Sequence, residues 1–218
     1  MYKKFLVLTA LLLTLAAAHA QSPRRQLALD KPAPLIVDKA VPSGSMLVLD
    51  MNVGDVKVVR NSDEHAIRLE IKPHHFDDED SMSSWVREFD VAGDRATIRL
   101  KMPKGHDNNS HGGDVTIYVP RETSLKLDLG VGDLTVAEVE GSKDLHVGIG
   151  DLVVKIEDAS QYGEVEGVTR IGDISDQLWQ MHASGFLGKT EHHSQTGRYR
   201  LRASVGIGDV SFVKPKAL

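Results

Sequence analysis

The 218-residue chain carries 26 Lys and Arg against 31 Asp and Glu, a net charge of −5, and no cysteine. The acid excess argues against nucleic acid, whose binding needs a basic face to displace counterions. Without cysteine there are no disulfides, no thiol catalysis, no cysteine metal site and no lipid-acceptor residue, so in an oxidising compartment the fold must hold by packing and hydrogen bonds.

At the N-terminus, Met1 to Lys4 is a short basic flank, Phe5 to Ala18 is apolar, and Ala18-His19-Ala20 precedes Gln21. Basic flank, apolar core and small-x-small exit predict a secretory signal over residues 1–20, cleaved after Ala20. The apolar run is shorter than the roughly 20 residues that span a bilayer. No later stretch is long and apolar enough to span, so the mature chain is expected to be soluble with no transmembrane segment. Cleavage would remove 20 residues and two lysines, leaving 198 residues with a net charge of −7, the size of one domain. The expected destination is a bacterial periplasm or the extracellular space. Residues 21–40 hold several prolines and mixed charge and read as an extended lead-in, with a single β-strand repeat domain over 41–218.

Along the domain, Leu47, Leu49, Met51 and Val53 alternate with other residues, and Ala66–Ile71 reads as a strand. The acidic stretch Asp77–Asp80 leads into Ser81–Phe89, a short helix or a loop. Residues 96–102 and 115–119 read as paired strands around the polar loop 103–113.

Self-similarity decides the fold class. Five segments align on Gly-Asp: MNVGDVKV at Gly54-Asp55, LGVGDLTV at Gly132-Asp133, VGIGDLVV at Gly150-Asp151, TRIGDISD at Gly172-Asp173 and VGIGDVSF at Gly208-Asp209. The glycine spacings after Gly132 are 18, 22 and 36 residues. The last is twice 18, with Gly188 near its middle as a degraded copy. Gly113-Asp114 is a looser pair, 19 residues before Gly132.

Before each pair the aliphatic residues alternate, as in Leu125, Leu127, Leu129 and Val131. After it they continue on the other parity, as in Leu134 and Val136. Period-two alternation means a strand with one buried face, and a one-residue slip demands a bend or bulge. Gly tolerates positive φ, and Asp bonds neighbouring amides. Each copy therefore reads as strand, corner, strand, and stacked copies bury a core only against one another. The expectation is an all-β, solenoid-like stack of short strands, most regular from about residue 120 to 214, with an ordinary sandwich of hairpins as the alternative.

DVTIYVPRETSLKLDLGVGDLTV, followed by spaced Gly-Asp-aliphatic repeats, resembles the bacterial putative-adhesin family of β-strand repeat domains, also called toast-rack domains. The Val119-Pro120 strand end and the four downstream Gly-Asp pairs match that pattern over roughly residues 40–214. The match departs at Ser184–His193, where one rung lacks Gly-Asp, and at the insertion-like 73–84. The resemblance implies an envelope-associated β-repeat domain and no particular reaction.

Chemistry is sparse. The aspartate column Asp133, Asp151, Asp173, Asp209 invites calcium, but calcium β-rolls place Gly-Gly-x-Gly-x-Asp every nine residues, and here each rung offers half the ligands in the wrong register. Structural corners, with no cofactor, are expected instead. His74-His75 beside Asp77-Asp78, His106 with His111 and Asp107, and His192-His193 lie in polar, loop-like parts of the chain and read as solvated loop residues. Adjacent histidines on an extended chain point apart, and a closed zinc site needs three or four convergent ligands. No Gly-x-Ser-x-Gly elbow, His-Glu-x-x-His motif or phosphate-binding loop occurs. Trp85, Trp179, Tyr162, Phe186 and Tyr199 are expected at core or cap positions. The sequence thus points to a non-catalytic envelope or surface scaffold contacting a protein or a glycan, with Lys126, Asp128, Thr135, His146 and Lys155 on its polar surface. Exposed final strands allow self-association. The alternatives are a carbohydrate-active enzyme whose acids come from distant rungs, and a calcium-stabilised repeat.

Overall fold

The computed structural model describes residues 33–73, 79–102 and 113–215. In chain order its strands are β1 (Leu35–Ala40), β2 (Met46–Val53), β3 (Val56–Arg60), β4 (Ala66–Pro73), β5 (Val86–Ala92), β6 (Arg95–Leu100), β7 (Gly113–Val119), β8 (Ser124–Val131) and β9 (Leu134–Ala137). They continue with β10 (Lys143–Ile149), β11 (Leu152–Lys155), β12 (Tyr162–Ile171), β13 (Ile174–Asp176), β14 (His182–Ala183), β15 (Phe186–His193), β16 (Tyr199–Ile207) and β17 (Val210–Val213). Short 3-10 turns span Glu79–Trp85 and Ala159–Gln161. The molecule is all-β, as the alternation predicts. The region 81–89, open between helix and loop, ends its 3-10 turn at Trp85 and enters β5. Part of the stretch read as an extended lead-in forms β1, antiparallel to β4.

Two open sheets carry the chain. One runs β1-β4-β7-β3-β9-β11-β17-β13-β14, and the other β15-β12-β16-β10-β8-β2-β6-β5. Both are mixed: the central strands pair in parallel and the outer ones antiparallel. Each Gly-Asp pair sits where the chain leaves the second sheet for the first: β2 to β3, β8 to β9, β10 to β11, β12 to β13 and β16 to β17. This explains the parity slip. The inward rows Leu125, Leu127, Leu129 and Leu134, Val136 face one core from opposite sheets, and the chain must invert its pleat in crossing between them.

Rungs stack in register. Leu127 pairs with Leu145 and Leu49, and Leu145 with Ala203; Leu152 pairs with Leu134 and Val210. Burying an aliphatic side chain contributes about 1.5–3 kcal/mol, and this row repeats through one continuous core in which Leu47, Val58, Ile98, Ile117, Leu145 and Val154 are fully buried.

Three sequence expectations are corrected. Residues 96–102 and 115–119 do not pair: β6 joins β2 and β5, whereas β7 joins β3 and β4 in the opposite sheet. Gly113, which opens β7, lies next to Gly54. Gly188 is not a corner. It lies inside β15, antiparallel to β12 opposite Thr169, so the 36-residue gap is not two rungs. The final strands, expected to be exposed, are paired on both sides: β16 and β17 insert between β10–β11 and β12–β13, so rung order departs from chain order. The chain leaves a slot after β11, builds β12 to β15 beyond it, then returns to fill it.

Candidate functional site: the corner column

The five sequence-predicted pairs stand one above another in the order Gly54, Gly132, Gly150, Gly208, Gly172, with φ of 127, 131, 132, 133 and 143°. A Cβ on Gly150 would lie 2.1 Å from the Gly132 carbonyl oxygen, and one on Gly208 2.1 Å from that of Gly150. Glycine is thus required twice, for a left-handed backbone and for close approach of the next rung.

The aspartates form a ladder. Asp55 Oδ1 accepts the Asp133 N–H at 3.0 Å, Asp133 that of Asp151 at 2.9 Å, Asp151 that of Asp209 at 2.9 Å, and Asp209 that of Asp173 at 2.8 Å. Asp173 Oδ1 takes the Gly185 N–H at 3.3 Å. Asp55, Asp133, Asp151 and Asp209 each satisfy a corner amide that neither sheet pairs, whereas the Gly185 N–H that Asp173 accepts also donates to the Gly172 carbonyl. Among the described residues none of the five joins an ion pair. Among them, too, no three His, Asp or Glu side chains converge as a metal-binding group.

One part of the alternation is overturned. Val131, Ile149 and Ile207, expected in the buried row, are 43, 50 and 49 % exposed, and Ile171 at the equivalent place is 50 % exposed. Each is the last residue of its strand, immediately before the corner glycine, and its side chain is left on the outside of the corner. These side chains are cross-strand neighbours, Val131 with Ile149, Ile149 with Ile207 and Ile207 with Ile171. Phe186, placed by sequence at a core or cap position, pairs with Ile171 instead and is 73 % exposed. Beside it Leu187, 67 % exposed, has a φ of 57°, a left-handed conformation uncommon for a non-glycine residue. Inside this stripe runs a row of small residues, Gly130, Gly148 and Gly206, where a Cβ would fall 2.4–2.5 Å from the carbonyl oxygen of the adjacent strand. A groove of about 360 Å³ lies between Gly148, Gly206, Ile207 and Phe186.

The other candidates separate. Lys126, Asp128 and His146 share the outer face of the second sheet, but Thr135 and Lys155 lie on the first. On the second sheet's face Glu166 meets Lys189 at 3.2 Å and Arg202 at 3.3 Å. His192 and His193, expected in a loop, instead end β15 paired with Val165 and Glu164, and His192 stacks on Trp179 with ring centres 5.8 Å apart. The pairs His74-His75 and His106/His111 lie outside the described residues. Trp85 and Tyr162 are buried as expected.

Sequence reasoning passed over Lys143. Its Nζ donates to the Gly141 carbonyl at 2.9 Å and to the Tyr162 hydroxyl, and lies 4.8 Å from the Tyr162 ring centre. Burial drives the ammonium down to about 7, partly offset by Glu140, and burial likewise pushes the Tyr162 phenol up. The signal was in the repeat, because Lys143 pairs with Leu125 and Leu201 in an otherwise aliphatic row.

The fold has a counterpart among solved structures. A putative cell adhesion protein from Clostridium sporogenes ATCC 15579 superposes with a TM-score of 0.52 at 14 % identity, over 84 % of this chain and 100 % of that one. A putative adhesin from Bacteroides fragilis NCTC 9343 gives a TM-score of 0.37 at 10 % identity, over 83 and 97 %. A putative adhesin from Parabacteroides distasonis ATCC 8503 gives 0.30 at 10 % identity, over 83 and 97 %. No protein-family model matches the chain, and no curated protein matches it. The class defined by fold and corner column is therefore a two-sheet β-repeat domain. The structure that superposes at a TM-score above 0.5 shares this fold.

Proposed function

We propose that the chain is an exported, non-catalytic envelope or surface scaffold with an adhesive, binding role toward an envelope protein or glycan. In this reading the rungs form a solenoid-like stack, with the five Gly-Asp pairs as structural corners. The observation that supports it is in-register repetition. Similar side chains recur at one place on successive rungs, and such stacking produces an extended linear surface suited to macromolecules. The fold likeness to a structure named for cell adhesion points the same way. Among the described residues no helix is long and apolar enough to cross a membrane. Export rests on the basic flank, apolar run and Ala18-His19-Ala20 exit, so N-terminal sequencing of the protein expressed from the full reading frame should begin at Gln21.

The scaffold reading is tested by co-sedimentation of residues 21–218 with bacterial envelope fragments, alongside assays on polysaccharide and ester substrates. Saturable retention without turnover is expected. Hydrolysis abolished by single carboxylate substitutions would replace it with a carbohydrate-active enzyme.

A further inference from the structure

We infer that the exposed aliphatic stripe along the corners is a docking site for a cationic amphipathic helix, whose apolar face lies on the stripe and whose lysines or arginines face the aspartate column. This deepens the scaffold reading and rests on it.

The stripe comes first. Packing does not require Val131, Ile149, Ile207 and Ile171 to be aliphatic, because about half of each side chain is in water. Exposed apolar residues are ordinary when scattered. A contiguous row marks an interaction surface. This one is continuous over four rungs and ends on Phe186 and Leu187, the latter held in a left-handed backbone with its side chain outward. Strain of this kind persists where the surroundings enforce it, often at binding sites.

Spacing selects the form of the partner. Adjacent rungs lie about 4.8 Å apart, and a helix advances about 5.4 Å per turn. A helix along the stack therefore offers one apolar side chain per rung, drifting by about 0.6 Å at each step. In an extended strand the same face recurs every ~6.7 Å, which drifts by nearly 2 Å per rung.

Charge selects its chemistry. The aspartate ladder runs parallel to the stripe, one residue beyond the corner glycines. Its five carboxylates accept backbone N–H groups that a neutral asparagine would satisfy equally well, and among the described residues no cation pairs with them. Like charges at strand spacing disfavour one another, and a line of cations would relieve that. The aspartate ladder disfavours the phosphates of an anionic bilayer, the other apolar occupant.

The probe is a fluorescent 15-residue Leu/Lys peptide with its leucines on one helical face. Controls are a scrambled peptide of the same composition and a Leu/Glu version, titrated against the chain from Gln21 to Leu218 by anisotropy. The amphipathic peptide should bind at least tenfold tighter than either control. Ile149→Thr with Ile207→Thr should weaken it tenfold or more while the melting temperature stays within a few degrees. Asp151→Asn with Asp209→Asn should weaken it and flatten its salt dependence. Equal binding of the scrambled peptide, or indifference to the Ile→Thr pair, overturns the inference. So does stripe-dependent co-sedimentation with phosphatidylglycerol vesicles in place of peptide binding, which assigns the stripe to lipid. A dimer in light scattering that the Ile→Thr pair dissolves assigns it to a second copy. Phe186→Ser provides an independent surface variant should the double variant fold poorly. Envelope co-sedimentation separates the two levels: retention that survives loss of peptide binding sinks the stripe alone, and no retention at all sinks the scaffold.

Discussion

At the corner glycines two constraints coincide, and substitution should expose both. Gly150→Ala sets a Cβ 2.1 Å from a backbone oxygen of the next rung at a φ of 132°, and neither can relax without parting two rungs. A loss of at least 3 kcal/mol or failure to fold is expected. Gly44→Ala, with φ of 74° and open space around its Cβ, should cost about 1 kcal/mol. Thermal melts of the two variants check the contrast. Asp151→Ala, which leaves the Asp209 N–H unpaired, should cost about 1–2 kcal/mol, and Asp151→Asn much less. Since each rung adds a single carboxylate and no three acidic or histidine side chains converge among the described residues, too few oxygens meet to hold calcium; calcium should leave the melting temperature unchanged, and a large rise reversed by chelator would contradict that.

Lys143 gives the molecule a pH signature. Its ammonium titrates at about 7 in the folded chain against 10.5 in solvent. Between those values the unfolded chain binds the extra proton, so this residue makes stability rise as pH increases from about 7 toward 10.5. Below about pH 7 both states are protonated and the burial penalty is present in full. Lys143→Leu, which matches Leu125 and Leu201 in the same row, should raise stability at pH 7 and remove that part of the slope. Urea melts at pH 6, 8 and 10 measure the difference, and an unchanged slope would refute the burial argument.

At the scale of strands, alternation predicts the rows well where the chain is straight and fails where it turns. Leu125, Leu127 and Leu129 are buried as their period requires. Val131 keeps the period but not the burial, because hydrophobicity along a sequence cannot mark where a strand starts to bend. The same limit explains β6 and β7. Both alternate cleanly, yet alternation specifies a buried face and not a partner, and the two strands join opposite sheets. Of the candidate site, the Gly-Asp pairs were legible because both residue types have local reasons to be there. The exposed stripe was not, since its residues look like core.

For the whole molecule, rung order is the consequential feature. In a simple solenoid the last repeat is terminal and its removal trims the stack. Here β16 and β17 occupy interior positions, bonded to β10 and β12 in one sheet and to β11 and β13 in the other. Truncation before Tyr199 should therefore abolish cooperative folding rather than shorten the domain. Circular dichroism melts of residues 21–198 test this: a cooperative transition of reduced amplitude would show that the inserted rung is dispensable. The insertion also pairs residues 58 apart, as at Asp151 and Asp209, and such non-local contacts slow folding.

Local chemistry was enough to announce strands, corners and their repeat: period-two alternation, left-handed glycine and amide-binding aspartate act within a few residues and leave their mark on any reader of the chain. Which rung neighbours which, which sheet receives each strand, and which aliphatic residues end in water were settled only in three dimensions. Equivalent rungs present nearly the same edge to any partner, so their order depends on the path of the connecting segments, and a residue's burial at a bend depends on what the rest of the chain puts beside it.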